Sequence, residues 1–133
     1  MLSVLRIWRV LLYAASLALV GAAALEAAGW SIWPGHLTGL DAAALAALRA
    51  LRVCFAAQCL TLSGLLITAS VRPQSVGRSA LFWCALLPTV ESLSLFALTG
   101  ARALPLLLGA AGLAVFGAIL TRPTRQASAA VLG

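Results

Sequence analysis

The sequence predicts an all-α integral membrane protein, four transmembrane helices in an up-down-up-down bundle, and three observations carry that prediction. Of 133 residues, 63% are hydrophobic and only 9% charged, far outside the range of soluble globular domains. The apolar residues gather into four runs, each long enough at about 1.5 Å per residue to cross a hydrocarbon core of about 30 Å. The arginines sit mainly at the edges of these runs, and Pro34, Gly35, Gly39 and Pro73 mark breaks between them. A chain of this length forms a single domain, with spans at about 7–29, 49–71, 80–100 and 103–121 and a disordered tail over 124–133.

The first run, Ile7 to Gly29, follows Arg6 and Arg9 and reads as a transmembrane helix. Its rival is a secretory signal peptide, with Ala22, Ala23 and Ala24 as the small-residue cleavage site. An h-region of about 7 to 15 residues is shorter than this run, which favours the span. In the following WSIWPGHLTGLD, Trp30 and Trp33 are aromatics suited to headgroup depth, and Pro34, Gly35 and Gly39 make a turn.

Asp41 is placed to cap a second helix from Ala42, with Leu40 and Leu45 as a hydrophobic staple. The helical pattern persists to Val71, longer than a span requires, so the turns up to Arg49 and Arg52 are expected in the interface. Arg72 and Pro73 stop it. The third run, Ala80 to Gly100, carries Pro88, which removes one helical amide, and Glu91 one turn later. Gly100, Ala101 and Arg102 turn the chain into a fourth helix with Pro105 in its first turn. Ala110, Ala114 and Ala118 stand there at four-residue spacing, with Gly109, Gly112 and Gly117 nearby, so small residues are expected to let a neighbouring helix approach.

All nine basic residues are arginine, and lysine and asparagine are absent, which reads as the product of a GC-rich bacterial genome. The net charge of +6 does not imply a nucleic-acid partner, because the arginines border apolar runs. Arg6, Arg9, Arg72, Arg78, Arg122 and Arg125 fall on one side of a four-span topology and Arg49, Arg52 and Arg102 on the other. The excess predicts cytoplasmic N and C termini in the inner or plasma membrane. Cys54, Cys59 and Cys84 form no ligand pattern and read as small core residues. His36 has no second ligand near it in sequence, so no metal or cofactor is expected.

Two buried polar pairs are predicted by counting residues from helix ends and turning each by about 100°. Glu26 and Arg52 match in depth near one boundary, as an interfacial ion pair. Glu91 and Gln58 match near the middle, where an acidic residue costs roughly 2.5 to 3.5 kcal/mol and must face protein or water. On helix 2, Arg52, Cys59, Ser63 and Ser70 form one stripe and Cys54, Gln58, Thr61 and Thr68 another. Helix 2 is therefore expected to sit between helices 1 and 3, with a stripe toward each. Glu91 is expected to face the interior as a neutral acid, since burial disfavours the carboxylate and no arginine shares its depth. Ser92 and Ser94 are expected to bond carbonyls of their own helix.

The layout resembles that of small bacterial four-helix membrane proteins similar in outline to the DoxX-like group. The resemblance rests on the Trp/Pro-containing first loop, LDAAALAALRALR, VRP, FALTGARALP and the small-residue fourth helix. It implies the fold and no activity. The family pattern has a basic residue in the third helix near the position of Glu91, so no site is carried over.

Three functions are weighed. One is a non-enzymatic membrane protein, either an accessory or assembly subunit or a binder of a lipophilic ligand, with the bilayer and a membrane-protein partner or second copy as its contacts. Another is a small proton-coupled transporter using Glu91. The least supported is an enzyme, for which no catalytic grouping stands out.

Overall fold

A computed structural model of the chain describes residues 2–32 and 39–122. Four helices account for nearly all of them: α1 (Leu2–Ile32), α2 (Ala42–Val71), α3 (Arg78–Thr99) and α4 (Ala103–Leu120). Each is long and apolar enough to cross a membrane, and no strand occurs among the described residues. The expected loop residues Trp33, Pro34, Gly35 and His36, Arg125 and the tail from 124 lie outside the described residues.

The helix ends follow local chemistry. Asp41 caps α2, its side chain accepting from the Ala44 amide at 2.7 Å, which satisfies one of the amides a helix start leaves open. Gly100 ends α3 at φ 74°, a left-handed conformation that glycine adopts at no steric cost. α1 extends beyond the expected span at both ends, and α3 begins at Arg78 rather than Ala80. Helical hydrogen bonding does not stop where the apolar run stops, so hydropathy understates a helix.

Each helix runs antiparallel to its packed neighbour. Ser16 and Glu26 of α1 meet Ser63 and Arg52 of α2. On α4, Gly117 lies against Leu11 of α1, and Leu107 lies against Gly21. Gly109 and Gly112 of α4 lie under Ser92 and Thr89 of α3. The order in space is therefore α2, α1, α4, α3. Helices α2 and α3 barely touch, which corrects the expectation that α2 is packed on both sides.

Glycine explains where the backbones come close. A Cβ on Gly112 would overlap Thr89 Oγ1 and stand 3.1 Å from the Ala85 carbonyl oxygen, and one on Gly109 would stand 2.9 Å from Ser92 Oγ. α3 contains no glycine, and nothing lies within 4 Å of a Cβ built on Gly64 of α2. The alanine row on α4 behaves differently from expectation, with Ala110 exposed, Ala114 half-buried and Ala118 buried. The buried face is instead Pro105, Leu108, Ala111, Gly112, Val115 and Ala118, residues three, four or seven apart that share one side of a helix.

On α2 and α3 the buried residues gather toward the end of the bundle that carries the start of α1 and the end of α4, whereas α1 from Trp8 to Ala23 and α4 from Pro105 to Ala118 have buried residues along most of their length. On α2 the buried residues are Cys59, Leu62, Ser63, Leu66, Ala69 and Ser70; on α3 they are Leu81, Cys84, Ala85 and Pro88. None lies between Ala42 and Gln58 or, among residues with described side chains, beyond Glu91 on α3. The bundle thus has a closed half and a splayed half, and Gln58 and Glu91 mark the boundary.

Arg122 seals the closed end. Its guanidinium donates to the carbonyl oxygens of Pro73 and Val76, each at 2.9 Å, and stands 6.0 Å from the ring centre of fully buried Trp8. One planar cation thereby ties α4, the α2–α3 connection and α1 together.

Candidate functional site

Gln58 Nε2 donates to Glu91 Oε1 at 2.7 Å. Each residue stands thirteen positions from the helix end at the short α2–α3 connection, which is about 20 Å along either axis. With the observed start of α3 at Arg78, the depths of the two residues coincide. The second carboxylate oxygen, Glu91 Oε2, is buried and has no hydrogen-bond partner among the described residues.

The other predicted pair stands farther out. Arg52 Nε and Glu26 Oε2 are 3.4 Å apart, with both side chains about four-fifths buried. The contact is an ion pair, and Glu26 Oε2 accepts no hydrogen bond among the described residues.

A hollow of about 450 Å³ runs along α2, lined by Glu26, Leu48, Leu51, Arg52, Cys54, Phe55 and Gln58. Gln58 is the lining residue nearest the closed half. A second hollow of about 530 Å³, lined by Glu26, Ala27, Arg49, Arg52, Val53 and Ala56, lies on another side of the same ion pair. The wall of the first is apolar over Leu48, Leu51, Cys54 and Phe55, with Glu26 and Arg52 part-way along and Gln58 at one end, a lining suited to an elongated amphiphile.

The two stripes predicted on α2 meet different surroundings. The stripe of Cys59, Ser63 and Ser70 is buried, with Ser63 sharing a 2.6 Å hydroxyl contact with Ser16 of α1. On the other stripe only Gln58 reaches α3. Thr61 and Thr68 turn back to the Ala57 and Gly64 carbonyls of their own helix, as hydroxyls do when no neighbouring helix offers an acceptor. Cys54, expected in the core, is exposed on the hollow, whereas Cys59 and Cys84 are buried.

Ser92 also departs from expectation. Ser94 bonds its own helix at Val90, but Ser92 donates to the Pro105 carbonyl of α4 at 2.7 Å. The reason is Gly109, whose missing side chain leaves the α4 backbone within reach. The Trp8–Arg122 contact and the hollow were not read from the sequence. A tryptophan near the start of one span and an arginine just past the end of another were the available signals for the former. The hollow left none, because it depends on how the outer turns of α2 lie beside α1.

No group of three or more potential metal ligands occurs among the described residues. In comparisons with known proteins, the chain matches no family model, no curated protein and no solved structure.

Proposed function

We propose that this chain is a non-enzymatic, multi-pass protein of a bacterial inner membrane that binds a lipophilic ligand in the hollow of its splayed half. The observation that carries the reading is the hollow itself, apolar over most of its wall, with Glu26–Arg52 part-way along and Gln58 at one end. Packed membrane helices gain stability from close contact, so an open hollow along α2 forgoes that gain where a ligand can recover it. In the test, organic extracts of purified protein are compared for bound lipophilic molecules between wild type and Leu51→Trp, which fills the hollow. Retention in wild type and loss in the variant is expected. Equal extracts would remove the reading.

The arginine distribution supports cytoplasmic termini. Arg6, Arg9, Arg72, Arg78 and Arg122 stand at the closed end, and Arg49, Arg52 and Arg102 at the other. In intact cells, an impermeant thiol reagent should then reach a cysteine introduced at Gly35 and not one at Ser75. The opposite pattern reverses the orientation.

A second reading, a proton-coupled transporter, is favoured by one observation, the partnerless Glu91 Oε2 at mid-depth. Here Glu91→Gln should abolish proton-coupled substrate movement in vesicles while leaving the fold intact. Unchanged movement would eliminate Glu91 as the proton carrier.

A further inference from the structure

The two hollows beside the Glu26–Arg52 pair differ in charge. The one of about 450 Å³ has that pair in its wall and no further charged group among the described residues. The one of about 530 Å³ adds Arg49, so its described lining carries two guanidinium groups against one carboxylate. Glu26 stands 3.4 Å from Arg52 Nε and offsets one of the two positive charges. A hollow that is positive in sum calls for an anion, and the planar guanidinium fork matches the oxygens of a phosphate.

The order of residues along α2 indicates what carries that phosphate. Arg49, Val53 and Ala56 stand at positions i, i+4 and i+7, on one face of the helix. Leu60, exposed like Val53, continues the stripe. Counted from Val71, which Arg72 follows at the opposite boundary, Arg49 lies about 33 Å and Ala56 about 22 Å along the axis. The hydrocarbon core of a bilayer is about 30 Å thick. Arg49 is therefore level with lipid head groups, and Val53, Ala56 and Leu60 are level with acyl chains. The hollow has the polarity of a phospholipid in its leaflet, charged outward and apolar inward.

We infer that this hollow holds the phosphate of an anionic phospholipid at Arg49 and Arg52, with an acyl chain laid along Val53 and Ala56. The assignment does not depend on a ligand in the other hollow. A zwitterionic lipid brings its own cation beside the phosphate and gains less from the two arginines. A free phosphate has no chain for the apolar stripe.

In the test, the protein is reconstituted in vesicles of equal phosphatidylglycerol and phosphatidylcholine and extracted in mild detergent, and the lipids retained on it are identified by native mass spectrometry. Phosphatidylglycerol is expected to be retained over phosphatidylcholine by about tenfold. Arg49→Gln should remove that preference. Arg102→Gln, at an exposed arginine of the same end that is not in the hollow's lining, should leave it. Glu26→Gln should raise it, because the carboxylate competes with the phosphate for Arg52.

Equal retention of the two lipids by wild type, or a preference that survives Arg49→Gln, would overturn the assignment. So would an equal loss in Arg102→Gln, which would trace the preference to the charge of that end as a whole. No rise in Glu26→Gln would overturn the placement at Arg52. Displacement of the bound lipid by inorganic phosphate at matched ionic strength would make this a site for the free ion and overturn the lipid assignment. Should Arg49→Gln fail to fold, Val53→Trp fills the hollow from an exposed position: loss of phosphatidylglycerol there supports the assignment, and full retention overturns it. Leu51→Trp, which fills the other hollow, should keep the preference, and its loss there would overturn the placement while leaving the lipophilic-ligand reading to its own test.

Discussion

The closed and splayed halves of this bundle are built from the same four helices and nearly the same composition, yet they differ in what the side chains do. In the closed half Leu66, Leu81 and Val115 are fully buried, Ser63 meets Ser16, and Arg122 binds three segments at the end. In the splayed half Leu51 is 68% exposed, and the polar residues stand around a hollow. Apolar side chains lose little by facing lipid, so in a membrane hydrophobicity alone does not draw helices together. Close fit and satisfied polar groups do. Glycine permits that fit where α4 meets α3, at Gly109 and Gly112, and α1 and α2 reach it without one.

The comparison can be broken most directly with leucine. Leu66→Ala removes a fully buried side chain from the closed half and should cost about 3 kcal/mol, measured by thermal or denaturant unfolding in detergent. Leu51→Ala, in the splayed half, should cost under about 0.5 kcal/mol. Equal losses would mean that the two halves are packed alike.

Glycine gives the next largest effect. Gly112→Ala drives a methyl into Thr89 and toward the Ala85 carbonyl, a change expected to cost about 2 kcal/mol. Gly64→Ala meets open space and should be neutral or stabilising by up to about 0.5 kcal/mol, because alanine orders a helix at lower entropy. If both changes were harmless, close approach of α3 and α4 would not hold the closed half.

Arg122→Ala should come third, at about 1.5 kcal/mol, since two charge-assisted hydrogen bonds are lost from a partly exposed site. Arg122→Lys should recover only part of this, because an ammonium lacks the planar fork that serves two carbonyls and a ring together. Full recovery by lysine would reduce the contact to simple charge.

The smallest effect belongs to the splayed half. A double-mutant cycle on Glu26→Gln and Arg52→Gln should give a coupling of about 1 kcal/mol or less, as partly exposed pairs do. A coupling well above that would show that the ion pair braces the splayed half rather than merely lining its hollow.

Much of this was legible in the residues. Four apolar runs broken by Arg-Pro and Gly-Ala-Arg fix the helix number, because each span must satisfy its backbone internally. Asp41 marked the start of α2 through its capping oxygen. Depth counting brought Gln58 opposite Glu91 and Glu26 opposite Arg52, since spans that cross the same bilayer antiparallel can be counted from a common face at about 1.5 Å per residue. Only the tertiary structure decided which helices touch. An amphipathic stripe identifies the inward side of a helix in water, but in lipid leucine suits both sides, so the second stripe of α2 carried no instruction to pack on α3. Whether a small residue serves a contact likewise depends on its partner: Gly112 lies under Thr89, whereas Ala110, two residues away, faces outward. The hollow follows from those choices among neighbours, and a property of pairs of helices is not written in any one of them.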